Sequence, residues 1–269
     1  MKVAALQMVS GPDLDANLAT AGALLAEAAG AGAELAVLPE YFCLMGHADT
    51  DKLAAREAPG GGPVQDFLAA QARRLGLWIA GGTLPLAASD EGHVRNTCLV
   101  HSPAGECVAR YDKIHLFRFD NGRERYDESR VIEAGAEPRV FELPSRDGHR
   151  WRIGLSVCYD LRFPELYRAL AADVLLVPSA FTHVTGEAHW HLLLRARAVE
   201  NLAYVVAPAQ GGRHANGRRT WGHSLVADPW GAVLAERADE GAGVVLAELA
   251  AARVAQVRTQ LPALSHRVL

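Results

Sequence analysis

Cys158, Glu40 and Lys113 each stand just past a predicted strand, and a thiol, a carboxylate and an ammonium can share the work of a covalent hydrolysis. The run Trp151–Val157, with β-branched Ile153 and Val157, reads as a buried strand that stops at Cys158. A polar turn follows, and Phe163-Pro164-Glu165 opens a helix, so the sulfur lies beside backbone N–H groups where a helix start favours the thiolate. Glu40 follows Val37-Leu-Pro39, and Lys113 follows Val108-Ala-Arg-Tyr-Asp112. Sites in open α/β sheets gather beyond strand ends. There the thiol is the nucleophile, the carboxylate takes its proton, and the ammonium stabilises the thiolate and the developing oxyanion. Each residue also has a simpler reading: cysteine is a good small core residue, and Glu40 and Lys113 could be solvated loop charges or a surface ion pair.

The elements that must position these groups alternate along the chain. Strands are predicted at Val3–Met8, Leu35–Leu38 (stopped by Pro39), Leu77–Ala80, Arg95–His101, Glu106–Asp112, Arg139–Leu143, Trp151–Val157, Val174–Pro178, Tyr204–Pro208, Ser224–Ala227 and Val244–Glu248. Helices are predicted from Asp13 to about Gly30, from about Val64 to Leu75, over Pro164–Ala171, from about Glu187 to Glu200, and from about Ala250 to Gln260. No linker or repeat interrupts the pattern, which implies one α/β domain over residues 1–269 with mixed sheets whose faces carry helices.

Composition narrows the function classes. Lys and Arg number 27 against 31 Asp and Glu, well mixed, so no basic stripe points to nucleic acid. No apolar run approaches the ~20 residues of a membrane span, and Met1–Gln7 enters a strand without a signal-peptide pattern. Cysteines 43, 98, 107 and 158 form no C-x-x-C, which reads as a cytoplasmic protein with reduced thiols. Cys43, Cys98 and Cys107 read as packed thiols, and Trp78, Trp190 and Trp230 as core or interface. The 11 histidines give no catalytic metal pattern: His189 and His191, two apart on a predicted helix, do not share a face. Gly60-Gly-Gly62 and Gly81-Gly82 lack a phosphate-loop context and read as turns.

Many short strings, in order, then carry a resemblance. Leu38-Pro-Glu-Tyr-Phe42, Gly81-Gly-Thr-Leu-Pro85, Tyr111-Asp-Lys-Ile-His-Leu-Phe117, Tyr126-Asp-Glu-Ser129, Cys158-Tyr-Asp-Leu-Arg-Phe-Pro-Glu-Leu166, Pro178-Ser-Ala-Phe181, Trp221-Gly-His-Ser224 and Asp228-Pro-Trp-Gly231 are among them. From Lys2 to about Leu261 the sequence resembles the nitrilase superfamily of carbon–nitrogen hydrolases. The resemblance implies a four-layer α-β-β-α sandwich, a Glu40–Lys113–Cys158 triad, a supporting second glutamate at Glu128, and the Tyr159 backbone N–H beside Lys113 in the oxyanion hole. It implies no metal and no organic cofactor, and a homodimer or larger homo-oligomer paired through equivalent faces.

Arg162-Phe-Pro-Glu165, Ser179-Ala-Phe181, Leu194–Asn201 and Ala209–His214 look most like the deaminated-glutathione amidase branch, with the ω-amidases, which act on α-ketoglutaramate-type acids, as its relatives. Both substrates are small amides bearing carboxylates, for which Arg162, Arg213 and His214, with Phe181 and Thr182, are the candidate binding residues. Arg195 and Arg197 face solvent or pair with Glu200 on the simpler reading. The loop Phe117–Tyr126 departs from the branch: it is about one residue shorter, carries Arg118 in place of an acid, and lacks a Pro before Gly122. Two readings from other classes compete, a non-catalytic binding or regulatory module on the same fold and a thiol redox sensor using Cys43 as resolving partner.

Overall fold

The computed structural model describes residues 1–268. A seven-stranded sheet runs in the order Gly243–Glu248, Lys2–Gln7, Leu35–Val37, Trp78–Ala80, Val94–His101, Leu84–Ala87, with Cys107–Asp112 also paired to Val94–His101. A six-stranded sheet runs Val233–Arg237, Ser224–Ala227, Tyr204–Ala207, Val174–Leu176, Arg150–Leu155, Arg139–Pro144. Each has a parallel centre and antiparallel edges, the centres being 2–7, 35–37 and 78–80 in one sheet and 150–155, 174–176 and 204–207 in the other.

Strand alternation divides the apolar residues between two cores. Val3, Ala5, Leu35, Val37 and Ala80 turn toward Ile153, Leu155, Val174 and Val206 of the second sheet. Ala4, Leu6, Ala36 and Ile79 turn the other way, onto Leu24, Leu25, Leu68 and Ala72, which lie on helices α1 (Leu14–Gly30) and α3 (Pro63–Leu75), separated by the single turn α2 (Asp51–Ala54). Helices α4 (Pro164–Leu170) and α5 (His183–Asn201) bury Leu166, Tyr167, Leu170, Trp190, Leu194 and Ala198 in the core of the second sheet. The result is the expected α-β-β-α sandwich. Helix α6 (Ala251–Gln260) closes it, its Val254 in the same core.

Local chemistry accounts for the element ends. Asp13 caps α1 by accepting from Ala16 N at 2.9 Å. Pro63 starts α3, and left-handed Gly76 stops it. Helix α5 begins at His183, four residues before the predicted start, because Gly186 is tolerated inside it: a Cβ there would stand 2.3 Å from Trp221 Cβ. Leu84–Ala87 holds Pro85 and is an edge strand, where a missing N–H is harmless. The ribbons Arg118–Asp120/Arg125–Asp127 and Gly211–Arg213/Arg219–Trp221 are short hairpins without apolar alternation, and sequence periodicity does not reveal them. Cys107 is exposed rather than core, since the register shift at Val100/His101 ends its strand near the surface. Trp230 is likewise exposed.

Gly82 fixes the loop on which Glu40 sits. Its φ is +52°, and a Cβ would stand 2.1 Å from the Pro39 carbonyl oxygen, a backbone atom that cannot swing away. Gly82→Ala should therefore lose about 2 kcal/mol or more. Denaturant unfolding measures this, and a loss below about 0.5 kcal/mol would show that the loop yields.

Candidate active site

Glu40, Lys113 and Glu128 meet in one buried cluster. Lys113 Nζ donates to Glu40 Oε1 at 2.9 Å and to Glu128 Oε1 and Oε2 at 3.0 and 2.8 Å. Glu40 Oε1 also accepts from Asn96 Nδ2 at 2.9 Å, and Oε2 from Ala180 N at 2.9 Å. Glu128 accepts from Tyr41 Oη and from Phe117 N, both at 2.7 Å. These oxygens are well satisfied, as burial of the charges demands. Burial works against the Lys113 charge, but the Glu128 and Glu40 carboxylates outweigh it and hold the ammonium well above the ordinary lysine range. Burial would raise Glu128, yet Lys113 and the Phe117 and Tyr41 hydrogen bonds hold it below the usual carboxylate range.

Cys158 reaches this cluster from the other sheet. It is the first residue of a 3₁₀ turn, Cys158–Arg162, and its φ is +50°, a conformation uncommon without glycine. Cys158 N donates to Pro178 O at 2.9 Å and Asp160 N to Val157 O at 3.0 Å. The Tyr159 N–H between them takes no backbone partner among the described residues. The sequence reading had the helix start favouring the thiolate, and the structure reverses that. Burial first, and then the Glu40 charge, push the Cys158 thiol well above its ordinary value, and Lys113 pulls only part of the way back. The residue rests as a neutral thiol.

Asp160 ties the two sides together, and sequence reasoning assigned it no role. Fully buried, its Oδ2 accepts from Tyr111 Oη at 2.7 Å and from Val157 N at 2.8 Å. Its Oδ1 accepts from His115 N at 3.0 Å, and His115 Nδ1 lies 2.7 Å from it. Tyr111 and His115 flank Lys113, and Val157 precedes Cys158, so one carboxylate joins the lysine segment to the cysteine turn. Asn96, Tyr41 and the Ala180 N–H were missed too. They reach the site by tertiary contact, and no sequence spacing marks them.

Phe117, Cys158, Tyr159, Arg162, Ala180, Phe181, Thr182 and Thr185 line a cavity of about 10 Å³ over the sulfur, about the room of one water. Arg162, Phe181 and Thr182 are thus brought together with Cys158. The Arg162 guanidinium sits over the rings of Phe181 at 5.6 Å and Tyr159 at 5.7 Å, with His189 Nδ1 at 3.4 Å as a polar neighbour.

Arg213 and His214 do not line this cavity. Arg213 is exposed on its hairpin. His214 is buried with Nδ1 2.8 Å from Ser10 O and Nε2 2.8 Å from Thr220 Oγ1. Burial lowers its pKa, so it offers no cation to a carboxylate. The neighbouring Arg218 instead lies 4.7 Å over the Tyr126 ring, which packs on Phe117. Arg195 and Arg197 are structural braces: Arg195 Nε donates to Gly231 O, and Arg197 donates to Leu161 O and pairs with Glu200. Cys43 belongs to the other core, its thiol facing Thr83 O at 3.7 Å and burial pushing it up to about 12. A cleft of about 850 Å³ is lined by Arg95, Arg110, Asp112 and Arg139 among others and contains no predicted site residue.

Comparison with known proteins gives matches over almost the whole chain. The carbon–nitrogen hydrolase family matches residues 2–259. The deaminated glutathione amidase of Synechocystis sp. is 44% identical over 98% of this chain and 97% of its own length. Omega-amidase NIT2 of Danio rerio is 36% identical over 93% and 88%. The crystal structure of Saccharomyces cerevisiae Nit3, a member of branch 10 of the nitrilase superfamily, superposes with a TM-score of 0.87 at 30% identity, covering 100% of this chain and 97% of that one.

Replacing Glu40 by glutamine removes the negative charge that most opposes ionisation of Cys158. Between about pH 7 and 9, where a free thiol begins to ionise, iodoacetamide should alkylate Cys158 faster in Glu40→Gln than in the wild type. Peptide-resolved mass spectrometry separates Cys158 from exposed Cys107. An equal or slower rate would overturn the electrostatic account of the resting thiol.

Proposed function

Because the chain belongs to the carbon–nitrogen hydrolase family, hydrolases of C–N bonds other than peptide bonds, we propose that it cleaves a small carboxylated amide through a thioester on Cys158. The observation that carries this reading is the buried Glu40–Lys113–Glu128 cluster set against a neutral thiol that opens to a cavity.

Glu40 takes the thiol proton as sulfur bonds to the carbonyl carbon. The oxyanion is held by Lys113 Nζ and the Tyr159 N–H. Lys113 now gives two contacts to Glu128 and one to Glu40. An ammonium has three donors, so one of the two shared with Glu128 turns to the oxyanion while the other keeps the ion pair. Glu40 then passes its proton to the departing nitrogen, the C–N bond breaks, and the acyl group remains on sulfur. Glu40 next removes a proton from water, the hydroxide attacks the thioester, and the C–S bond breaks to give a carboxylic acid and the thiol.

The substrate we propose is deaminated glutathione, with α-ketoglutaramate as the alternative. Arg162 lines the cavity together with Cys158. No carboxylate pairs with Arg162 among the described residues, which leaves its guanidinium open to a substrate carboxylate. The experiment is a coupled assay of both amides. Cys158→Ala should abolish turnover, and Arg162→Ala should raise KM about tenfold, the worth of about 1.4 kcal/mol, with little change in kcat. Turnover that survives Cys158→Ala would sink the mechanism.

We further propose a homodimer paired through α5. Val184, Leu192 and Val199 repeat at helical spacing and are exposed, with Trp230 and Leu234 exposed as well. Leu192→Asp should shift the sedimentation profile to monomer, and a profile like the wild type would exclude this face.

A further inference from the structure

Outside the cluster around Cys158, His191, His223 and Glu236 bring three ligand atoms within 4.8 Å of one another. They come from three elements. His191 is on α5, His223 lies in the turn after the strand Arg219–Trp221, and Glu236 is on the strand Val233–Arg237. Glu236 Oε1 lies 2.7 Å from His191 Nε2 and 2.6 Å from His223 Nδ1. All three side chains are partly exposed on the single chain, beside the α5 face proposed above for pairing.

The geometry points to a binding site here for one divalent zinc-class ion, held by His191 Nε2, His223 Nδ1 and a Glu236 oxygen, with water left to complete the coordination. Two imidazoles and one carboxylate form a donor set that suits zinc, whereas magnesium and calcium prefer oxygen ligands. A ligand set must be held in place to bind tightly, and His223 is held. Its φ is +56°, its ring stacks on Trp221 at 4.3 Å and 16°, and its carbonyl accepts from Trp190 Nε1 at 2.8 Å. The two close His–Glu contacts are those an ion would replace. Without one, the same trio serves as a hydrogen-bonded ion pair, and the test separates the two roles.

The ion would lie away from the sulfur and act on packing. It would pin α5 to the strand Val233–Arg237. Trp221, stacked on His223, donates its backbone N–H to Phe181 O at 3.0 Å, so the pinned segment backs onto the wall of the cavity above Cys158. Leu192, next to His191, belongs to the exposed α5 face, so the protein is titrated in the assembly it forms.

Cys107 is the exposed thiol that could compete for zinc, so the titration uses a Cys107→Ser chain stripped with chelator. Calorimetry with zinc chloride should show one ion per chain. His191→Ala and Glu236→Gln should each weaken binding at least tenfold, and the thermal midpoint should rise with zinc in the parent but in neither variant. Cobalt(II) in place of zinc should give d–d bands without thiolate charge transfer. Binding that is substoichiometric, that is unchanged in both variants, or that carries a thiolate band would overturn the assignment and leave the trio as an ion pair.

Discussion

Lys113 is an ammonium with no exposed side-chain surface, and the centre of this molecule is organised around making that tolerable. An isolated buried charge costs several kcal/mol, and removing one partner of a buried pair typically costs about 3–5 kcal/mol. Here two carboxylates face the ammonium, and their remaining oxygen sites are filled by Asn96, Ala180 N, Phe117 N and Tyr41 Oη. Those donors come from both sheets. Glu40 follows the first-sheet strand Leu35–Val37, and Ala180 follows the second-sheet strand Val174–Leu176, so the cluster fastens the two sheets at one end. Burial first, and then the Glu40 charge, push the Cys158 thiol beside this cluster well above its ordinary value.

Backbone conformation supplies the rest of the positioning. Tyr41 and Cys158 both have φ near the left-handed region, at 58° and 50°, and each flanks or forms the site. Such residues persist only where surrounding contacts over-determine them. For Tyr41 these are its N–H on Thr83 Oγ1 at 2.8 Å and its hydroxyl on Glu128. For Cys158 they are the Pro178 carbonyl and the Asp160 carboxylate under Val157. Asp160 therefore acts on geometry: it holds the cysteine turn against the segment Tyr111–His115 that carries Lys113.

Much of this was legible in the sequence, for reasons that can be named. The apolar runs ending at Pro39 and Cys158 had the right length and β-branching for buried strands, and strand ends are where α/β sheets place chemistry. Asp13 and the acidic first turn placed the start of α1. What stayed hidden depended on tertiary partners. Gly186 argued against a helix until Trp221 filled the space beside it. His214 follows a strand and carries a useful ring, yet Ser10 and Thr220 claim both nitrogens, and side-chain direction in a short hairpin is not written in its composition. His191 was set aside because its helical neighbour His189 points elsewhere, while its true neighbours lie 32 and 45 residues on.

In the proposed mechanism Cys158 gives its proton to Glu40 as the C–S bond forms, so the groups around the sulfur bear on which amide is seated there. Arg162, which lines the cavity over the sulfur, rests on Tyr159 and Phe181, and Arg218 rests on Tyr126 of the short hairpin loop. Both cations rest on aromatic faces, which lets them hold position without a carboxylate while keeping their N–H edges available. On the proposed reading, a substrate carboxylate would meet the Arg162 guanidinium, whose polar neighbour is His189 Nδ1.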